Sequence, residues 1–130
     1  MKPLLSKTSS ALLKFHRELL LFQTTLAEKS DNRKYTPYEL LHLSLNDARF
    51  NWLRKFSELI IQIDIITDDK ENKPFDAHAI VKEIKILISN GSQNEDFNFA
   101  LKSDTSLMLS LGGVRAAISE LEKSLKNEVN

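Results

Sequence analysis

Phe50-Asn51-Trp52-Leu53-Arg54-Lys55-Phe56-Ser57-Glu58-Leu59-Ile60-Ile61-Gln62-Ile63-Asp64 reads as a helix that is apolar on most of its sides. Trp52, Phe56, Leu59, Ile63 and Ile66 recur at alternating steps of four and three, the spacing of one helical stripe. Phe50, Leu53, Ile60 and Ile61 lie on a second face, and only Asn51, Lys55, Glu58 and Gln62 make a clean polar strip. A helix of this kind belongs in the middle of a bundle. Leu59 to Ile66 is β-branched enough to imitate a strand, but the period carried forward from Trp52 favours helix. The expected helix runs from Ala48 to Thr67. Two polar side chains, Ser57 and Asp64, project together inside its apolar arc. An ionised carboxylate buried there needs a partner, because an unpaired one costs several kcal/mol.

The segments on either side read as helices as well, since only three glycines and three prolines punctuate the chain. Leu12, Phe15, Leu19, Phe22 and Leu26 give a first helix over Thr8–Lys29. Thr36-Pro37-Tyr38-Glu39 is the signature of a helix start: a threonine cap, proline at the first position and a glutamate that completes a capping box. That second helix carries Leu40, Leu41, Leu43 and Leu45 and stops at Asn46-Asp47. Asp76 caps a fourth helix, Ala77–Ser89, which Asn90-Gly91 ends. Asn94–Leu101 is a short amphipathic piece with Phe97 and Phe99, and a last helix starts near Ser103-Asp104. Its stripe of Leu107, Leu111, Val114, Ile118, Leu121 and Leu125 keeps phase through Gly112-Gly113, where a kink or a close helix approach is expected, and its tail from Lys126 is expected to fray. The fold class is all-α: an up-down bundle of four main helices with one or two short extra helices, forming one domain over residues 1–130.

The pattern Phe50-x-Trp52-Leu53-Arg54-x-x-Ser57-x-Leu59-Ile60-x-x-Ile63-Asp64 resembles an uncharacterised family of small bacterial helical proteins. Leu13-x-x-His16-Arg17-x-Leu19-Leu20 and Val114-Arg115 are similar to the same family. The resemblance covers about the first half of the chain and one patch near its end. It implies a helical bundle and brings no activity with it.

Composition narrows the function. The chain has no cysteine, which excludes disulfides, thiolate metal sites and a cysteine nucleophile. Lys+Arg and Asp+Glu both number 18, so the formal net charge is zero and nucleic acid is disfavoured as a partner. The most apolar run, Leu59–Ile66, is too short to span a bilayer. The N-terminus lacks a signal-peptide core, so a cytoplasmic location is expected.

Candidate site residues come from helix geometry. His16 and Gln23 lie seven residues apart on the first helix, as Ser57 and Asp64 do on the third. Antiparallel packing of the two would bring these rows together and allow a His16–Asp64 or Arg115–Asp64 contact. The plainer reading of His16, Gln23, Ser57, Asp64 and Arg115 is a satisfied polar layer that fixes helix register. The other is a ligand or catalytic site. Arg54 is a candidate anion clamp or salt-bridge partner, for Glu58 or for a carboxylate on another helix. Glu39-x-x-His42 has the spacing of di-iron bundles, which need a second such motif and two further inward glutamates. The chain lacks the second motif, so neither metal nor cofactor is expected. His78 is expected on the surface and Trp52 in the core. With no phosphate loop or nucleophile elbow, the expected function is protein–protein interaction or regulation, as a homodimer or with another protein. The alternative is a small-ligand-binding protein or enzyme that uses the layer around His16 and Asp64.

Overall fold

A computed structural model describes residues 2–71, 73–89 and 94–129, without the side chains of residues 128 and 129. The described residues are all-helical: α1 (Lys2–Asp31), α2 (Pro37–Asn46), a 3₁₀ segment (Ala48–Leu53), α3 (Arg54–Thr67), α4 (Ala77–Ser89), α5 (Glu95–Ser103) and α6 (Thr105–Val129). The Asn90-Gly91 stop lies outside the described residues.

α1 begins six residues earlier than its apolar stripe suggests, since Pro3 is tolerated in a first turn. It ends where Asn32 takes a positive φ of 51°, the left-handed conformation that closes a helix. Arg33 N–H donates to the Glu28 carbonyl at 3.1 Å and Asn32 N–H to that of Lys29 at 3.3 Å, so two terminal carbonyls are satisfied. α2 opens on a complete capping box: Glu39 N–H donates to Thr36 Oγ1 at 3.2 Å, and Thr36 N–H donates to the Glu39 carboxylate at 3.0 Å. Asp47 then stops α2 and caps the 3₁₀ segment, accepting from Arg49 N–H at 2.9 Å.

The expected third helix, Ala48–Thr67, is two pieces. Its first six residues wind as a 3₁₀ helix, and regular α geometry starts only at Arg54. Asp76, Asn94 and Asp104 cap α4, α5 and α6 by accepting from Ala79, Phe97 and Ser106 N–H groups at 3.0, 3.1 and 2.9 Å.

α1 packs against both α6 and α3, and α4 also touches both. α1 and α6 run antiparallel, as Lys7–Glu120 at one end and Glu18–Ser110 nearer the other require. The core between the helices is apolar. Phe15 meets Phe56 and Phe97 edge-on at 5.8 and 6.1 Å between ring centroids, while Phe56 and Phe97 stack at 6.1 Å. α6 passes through Gly112-Gly113 as continuous helix. A Cβ on either glycine would meet nothing within 4 Å, so the expected close approach is absent. The tail also stays helical to Val129 rather than fraying from Lys126.

Candidate functional site

α1 and α3 pack antiparallel, and their seams carry a row of hydrogen bonds. Ser9 Oγ donates to Asp64 Oδ1 at 2.7 Å, Ser57 Oγ lies 2.9 Å from His16 Nε2, and Trp52 Nε1–H donates to Gln23 Oε1 at 3.1 Å. Ser9, His16 and Gln23 stand seven residues apart on α1. Going down α1, their partners come from progressively earlier in the chain, as antiparallel packing demands. Ser9 and Gln23 are buried, His16, Ser57 and Trp52 are half-buried, and Asp64 is exposed. Burial lowers the His16 pKa, which favours the neutral imidazole.

This arrangement differs from the anticipated pairs. Asp64 meets Ser9 rather than His16. It is solvated at the margin of the helix, so no buried counter-charge is needed. Arg115 is exposed on α6 and bonds to none of the described groups. Asp64 has its bond from Ser9 instead, and α6 packs chiefly on α1, α4 and α5. Trp52 is half-buried rather than fully enclosed, with its indole N–H spent on Gln23. Ser9 was missed by sequence reasoning, although the seven-residue step backwards from His16 points to it. Arg54 is exposed and donates to the Leu45 carbonyl, joining the end of α2 to the start of α3, and among the described residues it meets no carboxylate.

A denser charged cluster lies at the far end of α1. Arg49 bridges Asp31 and Asp47 at 3.0 and 2.8 Å. The Arg49 guanidinium, followed by its backbone N–H, pulls Asp47 down to about 2. Tyr35 donates to Asp31, and Arg33 lies over the Tyr35 ring and pairs with Glu39 at 2.6 Å. With Glu39 engaged by its cap and by Arg33, and His42 against the Tyr38 ring at 4.6 Å, this spacing serves helix structure. Among the described residues no three carboxylates or histidines converge as metal ligands. His78 is exposed at the start of α4.

Apolar groups that face solvent include Ile61 and Ile65 on α3, Leu109 on α6 and a stripe on α2. α2 buries none of its ten residues, and Tyr38, Leu41 and Leu45, on one stripe, are 70, 56 and 60% exposed. An open groove of about 700 Å³ runs between α3 and α4. Trp52, Phe56, Leu59, Leu87 and Phe97 supply its apolar lining, and Lys55, Glu58, Gln62 and Glu83 supply polar groups. No helix among the described residues is long and apolar enough to cross a membrane. The chain matches no family model, no curated protein and no solved structure.

Proposed function

We propose that this protein works by protein–protein contact, as a cytoplasmic interaction module built on an up-down bundle of α1, α3, α4 and α6. The observation that carries this reading is α2: a fully capped helix with no buried residue and a Tyr38–Leu41–Leu45 stripe in water. A helix of ten residues is marginal in isolation, and packing of an apolar face is what ordinarily stabilises one. Leaving the stripe bare forgoes that stabilisation, and a contiguous apolar patch on a surface marks a contact site. The 3,4 spacing of the stripe is the spacing by which an amphipathic helix docks on a partner.

Native mass spectrometry of the protein taken from its own cells tests this. The expected result is a protein complex that Leu41→Lys disperses while the circular dichroism of the chain is unchanged. A monomer that retains a small molecule overturns the reading. It would move the function to the second reading, a ligand site on the α1–α3 row. That reading is favoured by the half-buried imidazole of His16 beside the Ser57 hydroxyl.

A further inference from the structure

Residues 32–46, which carry α2, leave the bundle and return to it at one place. Asn32 turns the chain out of α1 with its positive φ of 51°, and Asp47 turns it back with an extended backbone, φ −83° and ψ 131°. Arg49 ties the two turning points together, since its guanidinium pairs with Asp31 at 3.0 Å and with Asp47 at 2.8 Å. An excursion whose ends are joined in this way has the form of a compact surface loop. We infer that residues 32–46 are a flap, pinned at its base by Arg49 and latched by Arg54, which opens and recloses while the rest of the bundle stays folded. The flap stands apart from the contact reading above, because it concerns how α2 leaves the body and not what binds to it.

Three observations separate the flap from the core. The first is burial. α2 has no buried residue, whereas α1 holds Leu5, Leu12, Phe15 and Leu19 fully enclosed. α2 packs chiefly on the 3₁₀ segment, and its Leu40 and Leu43 are only half-buried. A segment with few buried apolar contacts lies at the low end of local stability.

The second is the chemistry of its ties, which are polar. Arg54, the first residue of α3, donates to the Leu45 carbonyl near the end of α2. Ahead of α2, Tyr35 N–H donates to the Glu28 carboxylate at 2.9 Å and the Tyr35 hydroxyl donates to Asp31. Such bonds at a surface exchange for bonds to water at small net cost. The Arg49–Asp31 pair is different. It joins α1 to the start of the 3₁₀ segment, so the base of the flap keeps its place when α2 moves.

The third is length. A helix of ten residues is marginal alone, so α2 unwinds once it is off the body. Leu40 N–H donates to the Thr36 carbonyl at 2.9 Å and Asp47 N–H to that of Leu43 at 2.8 Å, so the amides of residues 40–47 report the event. Opening also makes Leu40 and Leu43 accessible beside the stripe of Tyr38, Leu41 and Leu45.

Amide hydrogen exchange of the full chain, read by mass spectrometry in water and in low urea, tests the flap without any partner. Amides 40–47 should exchange at a rate that low urea leaves unchanged, because a small opening exposes little surface. The slowest amides of α1 and α6 should accelerate steeply instead. Phe15→Leu, a milder core truncation than alanine, should speed those slowest amides about tenfold and leave amides 40–47 as they were. Arg54→Ala removes the latch at an exposed position and should speed amides 40–47 roughly three- to tenfold. Three results overturn the flap: amides 40–47 that follow the urea dependence of α1, a Phe15→Leu effect on them as large as on the core, or no effect of Arg54→Ala, which would mean that α2 only frays in place. None of the three bears on whether Leu41→Lys disperses a complex, so the contact reading is decided separately.

Discussion

His16 meets Ser57 through an imidazole nitrogen on a half-buried seam, and its energetic consequence is a dependence on pH. Burial lowers its folded-state pKa below the ordinary 6.5. As pH falls through that ordinary value, the unfolded chain takes up the proton before the folded one does. Stability therefore decreases from there down to the folded pKa and is constant below it. Asp47 acts in a lower window. Its pKa is depressed from 3.8 to about 2, so its contribution is complete above the ordinary value and disappears as pH falls through the folded one. His16→Gln keeps a side chain able to bond to Ser57 and abolishes titration. We expect the stability of this variant relative to wild type to rise as pH falls from neutrality through the ordinary value of 6.5, measured by urea denaturation at each pH. A difference that does not change with pH would contradict a preferentially neutral His16.

The elements owe their limits to local chemistry more than to packing. α2 is the clearest case, because Thr36, Pro37 and Glu39 define its start although none of its residues is fully buried. α6 is the reverse. Its apolar stripe keeps one helix running through Gly112-Gly113, two residues that each cost about 1 kcal/mol relative to alanine in a helix interior. Because a Cβ at either position meets open space, Gly112→Ala and Gly113→Ala should each stabilise the protein by roughly that amount, read from urea midpoints. Destabilisation by either would show that the bare backbone is itself in contact with something. Surface pairs such as Lys7–Glu120 and Lys85–Glu122 set no limits of this kind, since exposed ion pairs contribute only ~0–1 kcal/mol.

The whole molecule is organised around Phe15, fully buried on α1 and in ring contact with Phe56 of α3 and Phe97 of α5. Truncation there removes contacts with two other helices at once. We expect Phe15→Ala to cost ~3–5 kcal/mol, a large part of the roughly 5–15 kcal/mol that stabilises an ordinary domain. Fluorescence of the single tryptophan, Trp52, and far-ultraviolet circular dichroism should report one shared transition shifted to lower denaturant. Two separated transitions would mean that the helices around Trp52 do not depend on Phe15.

Much of this protein is set by near-neighbour effects and is therefore legible in its sequence. The α2 capping box, the stop at Asn46-Asp47, the caps Asp76 and Asp104, and the helical stripes all depend on residues within a turn or two of one another. The facing seven-residue steps, His16 to Gln23 and Ser57 to Asp64, show likewise which sides of α1 and α3 hold polar groups. Tertiary structure alone decided which members meet. The axial offset of two antiparallel helices gives Asp64 to Ser9 and Ser57 to His16, and a helix wheel contains no information about that offset. The exposure of Arg115 on α6 likewise removes it from the row. The tight winding of Ala48–Leu53 interrupts the helical phase before Arg54, and Trp52 then answers the buried Gln23. Exposure is decided last: Leu41 and Leu45 have the composition of core residues, and they face water because none of the described helices lies over their stripe.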